Sequence, residues 1–380
     1  MAVRTIPGPG PASDLEMARR AVGRPAEHLA TPALVIDIDK AAANIDAMAR
    51  WLTGQPARLR PHVKVHKVPQ LALLQLEAGA VGVATATVWE ARAMIDGGVP
   101  DVMIANEVIG AAKIALAAEL AGQARFSVLV DDPANARDLA AAAAAAGTTI
   151  GLLVDLDVGM HRCGARTPDE AADLGRVIAD LPGAEFRGVM GYEGHCMTQP
   201  DPARRRELQA RAVGFVAECV DALARAGLAC DIVAGGGTGT FHLTGASPVM
   251  TELHAGTYAL MDTSHEALIP GVFQTAMYVL ATVISVHGTE AVLDSGRKAV
   301  SADMAMPAPA DPSVTTRFIA EEHLGISAPA GALRVGDRIP VIAGYAPTTV
   351  NLHGVVYVSS GGTIVDVWPV RARHGTADVM

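Results

Sequence analysis

The chain has 380 residues, half of them apolar and 18% charged, a net charge of −10, and no basic run longer than Arg204-Arg205-Arg206. A large core is available, so the composition argues against a disordered body and against nucleic-acid binding as the main role. Four scattered cysteines (Cys163, Cys196, Cys219 and Cys230) match neither a disulfide framework nor a zinc pattern, and no apolar leader or span is evident, so a soluble cytoplasmic protein with no membrane partner is expected.

Residues 1–28 are rich in Pro and Gly and then helical over Asp14–Val22. They read as an arm associated with a later β domain. From Thr31, short β-branched runs alternate with alanine-rich amphipathic segments. The runs are Ala33–Asp39, Arg58–Lys64, Gly82–Thr87, Asp101–Asn106, Arg125–Val130, Thr149–Asp155, Glu185–Tyr192 and Asp231–Gly235. Eight near-continuous apolar strands with helices between them predict a closed parallel (β/α)8 TIM-type barrel over residues 29–265. A doubly wound open sheet is the alternative. After His265 the helices disappear. Ala276–His287, Ala291–Asp294, Asp337–Ile342, Gly354–Val358 and Thr363–Trp368 read as the strands of a C-terminal all-β domain, residues 266–380. Pro307–Thr316 reads as a surface loop within it.

Barrel chemistry gathers at the C-terminal ends of the strands. The second strand runs Arg60-Pro61-His62-Val63-Lys64-Val65-His66-Lys67. Alternation sets Lys64 against the side of Val63 and Val65, and an amine among valines is partly desolvated and suited to a Schiff base with pyridoxal phosphate (PLP). The plainer reading is a basic patch that neutralises an anion. His62 and His66 share the row, as acid–base groups or as structural hydrogen-bonders. The sixth strand leads into Asp155-Leu156-Asp157-Val158-Gly159-Met160-His161-Arg162-Cys163-Gly164. Its glycines aim Arg162 inward, where a cation beside a pyridine nitrogen would keep that nitrogen unprotonated. Pairing of Arg162 with Asp155 or Asp157 is the alternative. The seventh strand offers Tyr192, Glu193 and His195 for acid–base work or cofactor positioning, with Glu193 alternatively a structural partner. The eighth runs into Gly235-Gly236-Gly237-Thr238-Gly239-Thr240. There the backbone of Gly236, Gly237, Thr238, Gly239 and Thr240 offers a phosphate nest where barrels commonly bind phosphate, with a plain glycine-rich turn as the alternative. Lysine, arginine and nest together suit the aldehyde, ring nitrogen and phosphate of one PLP.

These motifs, with Gly191-Tyr192-Glu193-Gly194-His195, Asp294-Ser295-Gly296-Arg297-Lys298-Ala299 and Glu321-Glu322-His323, resemble the D-threonine aldolase/D-serine dehydratase group. The group is similar to alanine racemase in fold. The resemblance implies a PLP barrel plus a β domain in a homodimer, with a small-molecule amino acid as substrate. It makes Lys64 the Schiff-base lysine, sets Arg162 at the pyridine nitrogen and Tyr192 beside the cofactor, and brings Gly236, Gly237, Thr238 and Gly239 to the phosphate. Members carry a metal-binding His-x-Cys or His-x-Asp pair before a Thr-Val-Asn-Leu-like stretch. Here, aligned on Thr349-Val350-Asn351-Leu352, those positions hold Tyr345 and Pro347. Neither is a good ligand for a divalent metal, so no metal residue is assigned. The expected activity is retro-aldol cleavage of D-3-hydroxy amino acids. His62, His66 or His195 would be the base, and Tyr345 would hydrogen-bond where metal is usually held. A racemase or epimerase using Tyr345, His265 or His353 is one alternative. A dehydratase is another, weakened because ejecting hydroxide calls for a Lewis acid or a good general acid. A non-catalytic PLP carrier is the third, and the β domain with Asp294, Lys298 and His323 argues against it.

Overall fold

In the computed structural model, which describes residues 11–373, the barrel begins one strand later than the rhythm of the sequence suggests. The apolar run at the start gives β1 (Ala33–Asp37), and the chain turns at once into the helix Ile38–Leu52. The barrel consists of β2 (Arg58–Leu59), β3 (Val83–Thr85), β4 (Asp101–Glu107), β5 (Arg125–Val130), β6 (Ile150–Asp155), β7 (Ala184–Gly191), β8 (Ile232–Gly235) and β9 (Glu252–Leu253). Every neighbouring pair in the order β2-β9-β8-β7-β6-β5-β4-β3 is parallel. A parallel bridge from His62 to Ala84 joins the two ends. β1 is therefore not a barrel strand, and β9 takes the eighth place. β9 spans two residues in a Gly/Ser/Pro-rich stretch, too short for a periodicity signal.

Period-two alternation fills the barrel with Ala84, Met103, Ala105, Leu129, Leu153, Met190, Ile232 and Ala234, against which Tyr192 packs. Gly188 stands at a register shift in the β6–β7 ladder with φ +131°, and a Cβ there would lie 2.0 Å from the Ile232 carbonyl oxygen. Only glycine fits that close approach.

The second sheet holds β1 with β10 (Met277–His287), β11 (Glu290–Leu293), β12 (Ala308–Pro309), β13 (Thr315–Ile319), β14 (Leu324–Ser327), β15 (Arg338–Ile342), β16 (Val355–Ser360) and β17 (Thr363–Pro369). The order runs β13-β14-β11-β10-β1-β16-β17, with β15 on β10 and β12 on β15. β1 is antiparallel to β10 and parallel to β16. Its apolarity serves this sheet's core, where Ala33 and Val35 meet Leu280, Ile364 and Val367, together with Ala18, Ala26 and Leu29 from the N-terminal segment. Residues 1–10 of the expected arm lie outside the described residues. The segment expected as a loop, Pro307–Thr316, contains β12 and the start of β13. Pro309 is tolerated there because β12 is a two-residue edge strand.

The chain divides into two compact units. One is the chain to Ala42 with Leu260–Ser264 and Gln274–Val370, and the other is Ala43–Ala259 with His265–Phe273 and the chain from Arg371. The division thus falls past β1, rather than at residue 28. Among the described residues, no helix is long and apolar enough to cross a membrane.

Candidate active site

Lys64 stands beyond its strand. β2 ends at Leu59, and Val63–Val65 form one 3₁₀ turn that buries both valines and leaves Lys64 half-buried. The expected in–out row is therefore a turn. Burial lowers the Lys64 amine from its usual range; Glu90 works against that shift and Arg162 reinforces it. The Lys64 Nζ lies 5.9 Å from the centre of the Tyr192 ring, and the Arg162 guanidinium carbon lies 5.8 Å from the same ring. Three residues expected from three strand ends thus meet around one phenol. Neighbouring Lys67 is committed elsewhere, to Glu90 Oε1 at 2.5 Å and to the Ala372 carbonyl at 3.1 Å.

The three candidate histidines differ. His66 uses both ring nitrogens. Nδ1 accepts from the Val68 N–H at 3.1 Å, and Nε2 meets Gln75 Oε1 at 3.3 Å, while Gln75 donates to the Tyr258 hydroxyl at 2.8 Å. Burial pushes this imidazole down to about 4, so it is a neutral brace. His62 is buried in the barrel and held well below the usual range, by desolvation first and then by the charge of Lys64. It hydrogen-bonds to the Ala84 backbone, while its Nδ1 is shielded from solvent without a partner. His195 sits in the 3₁₀ turn Gly194–Thr198, half-buried, and its Nδ1 is likewise shielded and unpartnered. Its Cε1 is 3.5 Å from where a Cβ of Gly159 would stand, which brings it beside the loop that carries Arg162.

Glu193 holds the glycine loop. Its Oε2 accepts from the Gly236 N–H at 3.0 Å, and its Oε1 accepts from the hydroxyls of Thr240 at 2.9 Å and Thr244 at 2.5 Å. The structural alternative read from the sequence thus describes this residue. Gly236 has φ +81°, and a Cβ there would meet Leu253 Cδ1 at 2.5 Å. Its N–H is spent on Glu193, the Gly237 N–H goes to Thr240 Oγ1 at 3.3 Å, and Thr238 Oγ1 accepts from the Tyr258 N–H at 3.0 Å. The N–H groups of Thr238 and Gly239, which open the 3₁₀ turn, are the part of the nest left for an anion.

In the Arg162 loop, Asp157 accepts from the N–H groups of Gly159 at 3.1 Å and His161 at 2.8 Å, and pairs with Arg166 at 3.5 Å. Burial, then the charge of Glu107, raises the Asp155 carboxyl to about 8, and the charge of Arg162 opposes the shift. A desolvated lysine amine, a phenol with two cationic side chains near its ring, and an open stretch of backbone N–H fit a cofactor with an aldehyde, an aromatic ring and a phosphate.

The position where a metal pair would be expected lies in the other unit. Tyr345 precedes the helix Ala346–Asn351 as its N-cap, and Pro347 occupies the first turn, a position suited to proline because the missing N–H has no helical acceptor there. The Tyr345 carbonyl accepts from the Thr349 hydroxyl at 2.9 Å, and the Ala346 N–H donates to buried Asp262 at 2.8 Å. Burial, followed by the charges of Asp262 and Asp303, raises the Tyr345 phenol and keeps it neutral. A neutral phenol and a proline do not supply a divalent-metal site. Nearby His353 directs Nε2 to the Ala299 carbonyl at 2.7 Å.

Comparison with known proteins follows the same division. The family described as alanine racemase, N-terminal domain, matches residues 36–264, and a serine dehydratase domain matches residues 276–359. D-threonine aldolase of Arthrobacter sp is 37% identical over 358 residues, covering 92% of this chain and 94% of that protein. 3-Hydroxy-D-aspartate aldolase of Paracoccus denitrificans (strain Pd 1222) is 34% identical over 364 residues, with 92% and 94% covered. The crystal structure of D-threonine aldolase from Filomicrobium marinum superposes with a TM-score of 0.90 at 39% identity, covering 93% of this chain and 98% of that one.

Proposed function

The chain belongs to the alanine racemase-like family of which D-threonine aldolase and 3-hydroxy-D-aspartate aldolase are members, and from that premise we propose that it is a PLP-dependent lyase cleaving D-3-hydroxy amino acids to glycine and an aldehyde. The observation that supports this reading is that Lys64 Nζ and the Arg162 guanidinium carbon lie 5.9 and 5.8 Å from the centre of one phenol ring, Tyr192. Bound PLP supplies an electron sink that stabilises negative charge at the substrate α-carbon when the α–β bond breaks.

The residues of the chain do the rest. Lys64 presents a desolvated amine to the cofactor's aldehyde carbon. Arg162, the cation near Tyr192, would be the residue that keeps a proton off the ring nitrogen. The Thr238 and Gly239 N–H groups, held in place by Glu193 through Gly236 and Thr240, take the phosphate. His195 accepts the β-hydroxyl proton at Nδ1, which has no internal partner to compete for that position. His62 stays neutral beside Lys64 and adds no cationic charge to the pocket.

Cleavage of the α–β bond needs only a base on the hydroxyl, so the donor chemistry at Tyr345 and Pro347 suits an aldolase that does not rely on a metal there. Loss of hydroxide asks for a Lewis acid or a good general acid, which disfavours the dehydratase reading. A homodimer and a cytoplasmic location complete the proposal, the former on family likeness and the latter on the sequence. The test is product identification with D-threonine and D-3-hydroxyaspartate, with chelator and with added divalent metal. Glycine with the matching aldehyde supports the reading. Ammonia with a 2-oxo acid, or α-deuterium exchange without cleavage, contradicts it.

A further inference from the structure

Soon after Lys64 comes a second lysine that the reaction does not use. Lys67 has φ +55°, in the left-handed region that favours glycine, and it is 8% exposed. A strained backbone and a buried ammonium are both costly, and such a residue persists where its surroundings over-determine it. The contacts of Lys67 run in three directions. Its N–H donates to the Val63 carbonyl at 2.8 Å, next to the His66 N–H at 3.1 Å, and these bonds close the turn Val63–Val65 that carries Lys64. Its carbonyl accepts from the Arg371 N–H at 3.1 Å. Its ammonium donates to the Ala372 carbonyl at 3.1 Å and to Glu90 Oε1 at 2.5 Å. The segment Arg371–Ala372 therefore grips this lysine by its backbone and by its side chain.

The anchors are themselves fixed. Glu90 is 2% exposed, and its Oε2 accepts from the Ala86 N–H at 2.7 Å. Its own N–H is capped by Thr87 Oγ1 at 3.2 Å, at the start of the helix Val88–Asp96. Ala372 is buried and also has a positive φ, +53°. Glu90, Arg371 and Ala372 belong to the same compact unit as Lys64. The Lys64 turn, in contrast, lies beyond the end of β2, and a single 3₁₀ turn has poor hydrogen-bond geometry of its own. Before the turn, the His62 N–H holds to the Ala255 carbonyl at 3.2 Å; after it, Lys67 is the fastening.

We propose that Lys67 is the positioning residue for Lys64: it ties the Lys64 turn to Glu90 and to the segment Arg371–Ala372, and so fixes where the Lys64 amine stands. The residues that close the described chain thus help to build the cofactor site. The consequence for Lys64 rests on the PLP-lyase reading; the fastening of the turn does not.

The test uses the full chain with Lys67→Gly and, separately, Arg371→Pro. Glycine accepts φ +55° without strain, so the first variant removes only the side-chain ties. The second removes the N–H that the Lys67 carbonyl accepts and leaves the lysine in place. Either suffices if the other folds poorly. In cofactor-free protein, amide hydrogen exchange at His66 is expected to be about tenfold faster in both variants, with exchange across Arg125–Val130 unchanged, because the opening is local. In the second arm, each protein is filled with PLP, and attachment to Lys64 is followed by quenching with borohydride at increasing times. Attachment is expected to slow by about tenfold or more at equal filling, a size usual for a displaced reacting group. Equal exchange at His66 would overturn the fastening. Equal attachment rates, or loss of filling together with attachment in both variants, would overturn the positioning role. A wild type that attaches no PLP would sink the functional reading and the positioning role with it, and the exchange data would still decide the fastening.

Discussion

At the scale of single residues, the account separates side chains that meet the cofactor from those that hold others in place. Borohydride reduction of the PLP-loaded protein is expected to fix the label on Lys64, and peptide mapping checks it; a label on Lys67 would reverse the assignment, although that amine is already paired with Glu90. His195→Asn is expected to lower kcat by about 10²–10³ with little change in PLP affinity, a size usual for losing a general base, and steady-state kinetics with a PLP titration separate the two. Lys64, Arg162, Tyr192 and the loop Gly236–Thr240 were legible in the sequence because each follows a strand, and strand ends of a parallel barrel converge. What each side chain does there was less legible. His62 and His66 read alike in a motif. They part only because Gln75 and the Val68 N–H occupy the His66 ring, while His62 keeps a bare Nδ1.

At the scale of elements, β2 and β9 give the barrel a polar seam opposite its apolar filling. Arg60 makes two bonds to Glu252, at 2.7 and 3.0 Å, and one to Asp101 at 2.6 Å, while His254 meets Glu252 at 3.5 Å. Burial opposes charge on Glu252, but the bonds from His254 and Arg60 prevail and hold it at about 2. A depressed carboxylate contributes stability above its unfolded pKa and loses it as pH falls towards the folded value, so this contribution fades below roughly pH 4.5. Glu252→Gln is expected to cost about 3 kcal/mol in urea unfolding at neutral pH, the lower end for breaking a buried pair, because Arg60 keeps Asp101. Gly188→Ala is expected to destabilise by about 2 kcal/mol or more in the same measurement, since its Cβ would overlap the β8 backbone. The first effect was not readable from the sequence because β9 has two residues and no periodicity to mark it, and the second because it depends on how closely β7 and β8 approach at Ile232. The helix behind Tyr345 shows the converse. Pro347 removes a metal-ligand position and also starts a helix well, so one residue carries both a chemical and a structural signal.

At the scale of the whole molecule, alternating runs and helices announced a barrel followed by a β domain. The placement of β1 shows the limit of that evidence. Ala33–Asp37 is apolar on both faces, as a barrel strand is, and only its hydrogen bonds to β10 and β16 reveal which sheet it completes. D-threonine aldolase of Arthrobacter sp is similar over 92% of the chain, and Tyr345 and Pro347 lie within the matched serine dehydratase domain. The central claim is that this chain cleaves D-3-hydroxy amino acids with PLP and without a metal held at Tyr345 and Pro347. The most direct measurement incubates PLP-loaded protein with D-threonine, with and without chelator, and quantifies glycine and acetaldehyde. Both products are expected in equal amounts at a rate the chelator leaves within about twofold, since Tyr345 and Pro347 offer no ligand pair to lose an ion. No glycine from D-threonine or D-3-hydroxyaspartate, or a rate that vanishes with chelator and returns with metal, would contradict it.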